Sequence, residues 1–452
     1  MTRLSSLVAL VAALSGLLVG YATGVIAGAE APLTKEFGLQ DQNALRGLLV
    51  GCILIGGFFG AIFAGAIVKH IGPRRMLILI GVVFAVASFG MSYSEHAWPF
   101  IAWRTLAGFA VGASTMVAPL YVGETAPPNW RGALITGFQL ALTMGILLGY
   151  LANLAFAETE NWRLMLGLMA VPSLILVVGM IPLTESPRWL LLRGHKEVAQ
   201  RVFRRIAGFD WPPQEMAQVL ASGQLEADWR DLLRPRFRPV LLVAVLLFAF
   251  TNLSGIDVIL YYAPVIFAEV GFDGTLGPIL ATVGIGTINV LATIAAMWMV
   301  DRYGRRPLLI GGLIPMAIAM AMMVPSLLFE GAGWNAMALV ALALFIVSFA
   351  ISLGPLPYVI MAEIFPVQTR GVGMGLAAAA AWAVNALVSV SFFSLAATFG
   401  MPSVFGMFAL ICVIALIFVV IYVPETRGRS LEEIEANLVA GKPVRRLGEV
   451  FD

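Results

Sequence analysis

Glu124-Thr125-Ala126-Pro127-Pro128-Asn129-Trp130-Arg131 is answered 239 residues later (370 − 131) by Glu363-Ile364-Phe365-Pro366-Val367-Gln368-Thr369-Arg370. Each stretch opens on Glu, closes on Arg seven positions on, and follows a long apolar run. Two more echoes lie at nearly the same offset. Gly72-Pro73-Arg74-Arg75 returns as Gly304-Arg305-Arg306, 232 residues on (304 − 72), and Glu185-Ser186-Pro187-Arg188 returns as Pro424-Glu425-Thr426-Arg427. Solenoid repeats have periods of roughly 20–50 residues. A period this long argues instead for one large unit used twice.

Composition says what that unit is made of. The chain has 452 residues, 60% of them hydrophobic and 12% charged, with a mean hydropathy of +0.92. A soluble domain carries roughly 25% charged residues. A soluble enzyme, a disordered chain, a fibre and a nucleic-acid binder are therefore excluded. The net charge of +2 suggests no polyanionic partner. Cys52 and Cys412 lie in apolar runs, and His70, His96 and His195 lack neighbours at ligand spacing. No metal, cofactor or nucleophile–base pair is expected, so the chain is not read as an enzyme. What remains is an all-α membrane protein. A helix needs about 20 mostly apolar residues to cross a bilayer. Twelve such runs occur, near 5–28, 47–68, 76–93, 99–122, 132–156, 163–183, 239–266, 277–299, 308–329, 335–361, 372–398 and 402–423. A β-barrel is ruled out because its strands alternate.

Basic residues orient the spans. With both termini in the cytoplasm, all but four of the 28 Lys and Arg fall on the inner side, the exceptions being Lys35, Arg46, Arg163 and, within a span, Arg104. That asymmetry is the positive-inside pattern, and short outer loops suggest a bacterial inner membrane. Arg3 and Ala27-Gly28-Ala29 mimic a signal peptide. Cleavage is not expected, because it would strip the first half of a helix. The spans divide into an N-terminal six-helix half (1–183), a linker with short cytoplasmic helices (184–238), a C-terminal six-helix half (239–423) and a cytoplasmic tail (424–452). The linker holds ten Lys and Arg, and 194–205 reads as an amphipathic helix. It is either a latch on both halves or a basic segment on anionic lipid. Duplicated halves with a site at their midplane interface are the architecture of secondary transporters.

Charges near the membrane are candidate gates: Arg75, Glu124, Arg131, Glu185, Arg188, Asp301, Arg305, Arg306, Glu363, Arg370, Glu425 and Arg427. Each exposed pair is worth about 0–1 kcal/mol, but several together bias a two-state equilibrium. The plainer reading is positive-inside topology alone. Gly47 and Gly51, Gly56 and Gly60, and Gly108 and Gly112 let helices approach closely. Polar residues inside spans are the functional candidates: Arg104, Gln139, Thr251, Asn252, Asp257, Asn289, Trp382 and Asn385, with Tyr358 as a second aromatic face. Amides and an acid bond hydroxyls, and aromatic faces stack on a sugar ring. For any single Asn the alternative is an interhelical hydrogen bond.

These residues carry a resemblance. The chain resembles the sugar porter family of the major facilitator superfamily along nearly its full length. It does so through Arg104-Thr105-Leu106-Ala107-Gly108, Pro119, Tyr121, Glu124, Arg131-Gly132, Glu185 to Leu190, Gly255-Ile256-Asp257, Tyr261, Tyr262, Asp301 to Arg306, Gly354-Pro355, Glu363 and Pro424 to Gly428. The resemblance implies the major facilitator fold and an alternating-access carrier of a monosaccharide or polyol. It implies sugar contacts at Gln139, Asn289, Trp382 and Asn385, and at Tyr358 where tryptophan is usual. The chain also departs from the family pattern. Ala22 stands where proton symporters of the family have Asp, although the usual partner survives as Arg104. Thr251, Asn252 and Asp257 replace two glutamines and an asparagine, Ala381 replaces an amide, and Lys69 replaces an acid. Asp257 is then a displaced proton site, an altered substrate contact or an ion-pair member.

The expected function is carriage of a hexose or pentose, leaning towards facilitative uniport because of Ala22. Proton symport through Asp257, or a polyol, organic acid or drug-like cargo, is the alternative. Ala22, Arg104 and Asp257 are the coupling candidates. The expected partners are the sugar and the lipid bilayer, with no nucleic acid, and the expected state is a monomer.

Overall fold

The computed structural model describes residues 3–125, 131–224, 229–235, 237–272, 274–366, 369–429 and 431–449. For some of them, Arg131, Asp301 and Arg370 among them, only the backbone is described. The described residues form helices and no strand, and twelve helical spans are long and apolar enough to cross a membrane. The chain divides into two compact units, residues 1–40 with 48–226 and residues 41–47 with 227–452.

The first unit contains α1 (Arg3–Glu36), α3 (Pro73–Ser92), α4 (Ala97–Thr125), α5 (Arg131–Ala155) and most of α2 (Asn43–Ile71). Its sixth span is two helices, α6 (Trp162–Gly167) and α7 (Ala170–Met180). α1 lies along α5, and α3 packs on α4 and α7. The glycine spacing of α2 and α4 serves packing. A Cβ on Gly108 would stand 2.0 Å from the Ile53 carbonyl oxygen, and one on Gly56 2.0 Å from that of Thr105. The two backbones touch where a side chain would hold them apart.

Three short helices follow, α8 (Pro187–Leu192), α9 (Lys196–Ala207) and α10 (Pro213–Gln224). They share a small core of Leu190, Leu191, Ala199, Trp211 and Met216. Phe203 stacks on Trp211 at 4.7 Å. The amphipathic run read at 194–205 is thus α9, its apolar side spent on this core and its Arg204 paired with Asp210.

The second unit holds α11 (Arg238–Leu253), α12 (Ile256–Glu269), α13 (Leu276–Tyr303), α14 (Arg305–Leu328), α15 (Ala332–Ile351), α16 (Leu356–Ile364), α17 (Arg370–Phe399), α18 (Met401–Tyr422) and α19 (Leu431–Val439). Two apolar runs read from sequence as single helices are each broken in two. Between α11 and α12, Gly255 adopts a left-handed φ of +90°, and the Phe408 ring sits 2.7 Å from where its Cβ would be. Only glycine fits both conditions. Between α15 and α16 the break falls at Ser352–Pro355, where proline can donate no N–H to continue the ladder. Hydropathy stays high across both interruptions, so composition gave no sign of them. The tail folds back on its own unit: α19 buries Ile434 and Leu438 and packs against α16.

Candidate functional site

The second unit gathers polar side chains at one place inside its spans, the first holds separate ones, and each unit carries a charged cluster at one helical end.

In the second unit, Asp257 occupies the first turn of α12, directly after the break at Gly255. Its carboxylate is hydrogen-bonded to the Asn385 side chain of α17. The Asn385 carbonyl oxygen in turn accepts the Ser389 hydroxyl at 3.1 Å. One amide therefore faces two ways, with its NH2 directed to the acid and its oxygen to the serine. Asn385 and Ser389 are both buried. Tyr358, on α16 after the second break, lies within electrostatic reach of Asp257 and meets Phe248 edge-on at 4.7 Å. It remains 54% exposed, so its ring is available to a ligand. Asn289 is buried on α13, and Trp382 is half-buried on α17 three residues before Asn385.

Thr251 and Asn252 are engaged differently. The Thr251 hydroxyl bonds the Leu247 and Leu353 carbonyls at 3.0 and 3.4 Å, and the Asn252 amide bonds the Phe248 carbonyl at 2.9 Å. Both spend donors on backbone next to the breaks. They support the interrupted spans, whereas Asp257, Asn385 and Tyr358 gather at one place.

In the first unit, Ala22 is buried on α1, and Gln139 is half-buried on α5. Arg104 is 1% exposed on α4, and its Nε donates to the Val50 carbonyl at 3.4 Å. Glu30 is absent from the polar residues drawn from the sequence above. It is 1% exposed on α1, and its Oε1 accepts the Thr34 hydroxyl at 2.8 Å. It lies two residues past the apolar run read at 5–28, in the part of α1 that extends beyond that run to Glu36, eight residues after Ala22.

The charged clusters repeat each other. At the start of α3, Gly72 has φ +90°, and the Glu185 carboxylate accepts the Arg74 N–H at 2.9 Å and its neighbour Ser186's at 3.1 Å. At the start of α14, Gly304 has φ +91°, and Glu425 accepts the N–H groups of Arg305 and Arg306 at 3.1 and 3.0 Å and of Arg427 at 2.9 Å. A carboxylate at a helix N-terminus satisfies orphan N–H groups and suits the helix dipole. The residue after each cap grips the next motif. Ser186 donates to Glu124 at 2.6 Å, and Thr426 donates to Glu363 at 2.5 Å. An arginine then ties each helix start to the end of the unit's last span, Arg74 through the Met180 carbonyl at 3.1 Å and Arg306 through that of Val420 at 2.8 Å. Glu363 also pairs with Arg305 at 2.9 Å. In the first unit, the carbonyl of Lys69 instead receives the Trp189 indole N–H at 3.0 Å and the Arg193 guanidinium at 2.5 Å. Burial holds the Glu185 carboxyl above the ordinary carboxylate range, against the pull of those N–H groups and the Arg74 charge.

The repeated residues thus share a cap in each unit. Arg75 and Arg188 are exposed beside it, and Arg427 contributes its backbone. The side chains of Arg131, Asp301 and Arg370 lie outside the described residues, so the Glu–Arg pairs suggested by the seven-residue spacing do too.

A family model described as "Sugar (and other) transporter" matches residues 8–438. The chain belongs to the sugar porter family. Sugar porters are membrane transporters and not enzymes, and this one is a multi-pass plasma-membrane protein. Among its relatives are the glucose transporter GlcP of Staphylococcus epidermidis, 39% identical over 96% of this chain and 97% of that one, and the galactose-proton symporter of Escherichia coli, 34% identical over 98% and 96%. The inward-open structure of the xylose transporter XylE from E. coli superposes with a TM-score of 0.81 at 30% identity, covering 95% of this chain and 98% of the other. The fold is thus that of the major facilitator superfamily, as the twelve spans and the repeat imply.

Proposed function

We propose that this sugar porter carries a monosaccharide, a hexose or pentose, by facilitative uniport. The observation that carries the uniport reading is Ala22: a buried methyl group stands at the first-span position where proton symporters of the family have an acid. An alanine neither titrates nor answers the charge of Arg104. Binding is assigned to Gln139 in the first unit and to Asp257, Asn289, Tyr358, Trp382 and Asn385 in the second, with Thr251 and Asn252 supporting the latter. The carboxylate and amides take hydroxyls, and the aromatic faces take the apolar side of the ring. The capped clusters serve as gates, both termini are cytoplasmic, residues 1–183 and 239–423 act as the two moving halves, and the carrier works as a monomer.

A second reading has one observation in its favour. Asp257 is a carboxyl group inside a span whose hydrogen-bond partner is an uncharged amide, a setting in which a proton can be taken up and released. Counterflow of labelled glucose into proteoliposomes, against a panel of unlabelled hexoses, pentoses and polyols, tests the cargo. Gln139→Ala must abolish that exchange while expression persists, or the site assignment fails. An imposed proton gradient then tests coupling. Uniport gives no accumulation above equilibrium. Accumulation that Asp257→Asn abolishes, with exchange retained, establishes symport instead.

A further inference from the structure

We propose that a groove at the far end of α3 from its capped N-terminus binds one aminophospholipid, a lipid with a primary ammonium headgroup. The groove has a volume of about 520 Å3 and lies where α3 turns into α4. Phe89, Gly90, Tyr93 and Trp103 form its apolar part, and Glu95 and His96 stand at its mouth. Gly90 lets it exist: a Cβ there would stand 2.2 Å from the Trp103 indole, which instead lies flat against the helix.

Three features name the occupant. The first is the face on which the groove opens. Leu79, Val82, Val86, Phe89 and Tyr93 are 42–82% exposed along one side of a membrane span. That stripe is solvated by acyl chains, and the groove is its end. The second is depth. α3 ends at Ser92 and α4 begins at Ala97, so Tyr93, Trp98 and Trp103 lie at the membrane–water interface, where aromatic rings collect at headgroup level.

The third is charge. The Arg163 guanidinium donates to the carbonyl of Ser94, a groove residue, at 3.3 Å and is coupled electrostatically to Glu95. Glu36 holds it in place with two hydrogen bonds of 2.8 and 2.6 Å. The mouth therefore sets a carboxylate beside an imidazole and a guanidinium. That arrangement matches a zwitterion, with the ammonium against Glu95 and the lipid phosphate against the His96 imidazole, while Arg163, paired with Glu36, fixes the Ser94 backbone behind them. A primary ammonium donates hydrogen bonds to a carboxylate, and a quaternary choline has none to give. The site owes nothing to the sugar that the protein carries.

The test is native mass spectrometry of the full chain released from nanodiscs of equal phosphatidylethanolamine and phosphatidylcholine. Wild-type protein should retain one phosphatidylethanolamine in about tenfold preference, the scale set by one charge-assisted hydrogen bond. Glu95→Gln should lose the preference but keep a lipid, and Val86→Trp, which fills the groove from an exposed position, should lose the lipid. Both should keep sugar counterflow, which reports that they fold. Retention in the bulk ratio by wild type, or an undiminished preference in Glu95→Gln, overturns the proposal. So does preferential retention of phosphatidylglycerol in a second nanodisc containing it, since that outcome assigns the groove to an anion alone.

Discussion

Glu425 closes the helix that begins at Arg305: its carboxylate takes the Arg305 N–H at 3.1 Å, across 120 residues of chain. Gly304 makes the approach possible, because a Cβ there would stand 2.9 Å from the same carboxylate. Replacing Glu425 with Ala removes the acceptor for three N–H groups and should cost about 1–2 kcal/mol of stability, the upper part of the range for a lost cap. Glu425→Gln keeps one acceptor oxygen and should cost less. Thermal melts of the purified protein in detergent rank the two.

The Glu363–Arg305 pair should outweigh the chain's exposed ion pairs. Its side chains are 16% and 20% exposed, against 73% and 49% for Lys35–Glu160. Glu363→Gln should cost about 1–3 kcal/mol, since a partly buried guanidinium loses its counter-charge. Glu160→Gln should cost no more than about 0.5 kcal/mol. Equal shifts in the two melting curves would refute that ranking.

Ser389 should act through Asn385. Without its hydroxyl the amide can turn and present its oxygen to Asp257. Ser389→Ala is expected to raise the KM for counterflow by about three- to tenfold, the worth of one buried hydrogen bond. Maximal exchange should hold, and Ser389→Thr should restore the KM. A lowered maximal rate with unchanged KM would place Ser389 outside the binding chain.

Glycines in helices divide by what surrounds them. Gly108→Leu drives carbons into the backbone of α2 and should cost about 1–3 kcal/mol or more, read as loss of the monodisperse peak in size-exclusion chromatography. Gly375→Ala meets nothing within 4 Å and should stabilise α17 by about 0.5–1 kcal/mol.

The raised pKa of Glu185 has a pH consequence. The folded state binds its proton more tightly than the unfolded chain does. The stability this confers is complete below the unfolded value, about 4.3, and is lost as pH rises through the folded one. Melting temperature should fall across that window, and Glu185→Gln should flatten the fall. A wild-type curve that rises there contradicts the burial argument.

Much of this was legible in the amino-acid order. The apolar runs and the repeated Glu–Arg stretches carry both the twelve spans and the duplication, because lipid demands length and composition that nothing else imitates. The glycine pairs of α2 and α4 were legible as packing for the same reason. The partners of Glu185 and Glu425 were not. Both read as gate charges, and their partners are backbone N–H groups, which every residue has and no motif marks. Asp257 and Asn385 were each visible as polar residues in spans, but the bond between them depends on the break at Gly255, which hydropathy passes over. Glu30 falls beyond the first apolar run, and only the helix's continuation to Glu36 brings it into the buried part of α1.

The interruptions at Gly255 and Gly354-Pro355 bear on how the carrier will answer saturation mutagenesis. Where a helix breaks within the membrane, polarity comes from the main chain, as when the Leu353 carbonyl receives the Thr251 hydroxyl. No side chain encodes that polarity, so no substitution deletes it outright. A library scored for uptake should register these seams as narrow columns intolerant of anything but glycine or proline, flanked by positions that accept most apolar residues. Such columns would mark the polar heart of the second unit more sharply than its few amides.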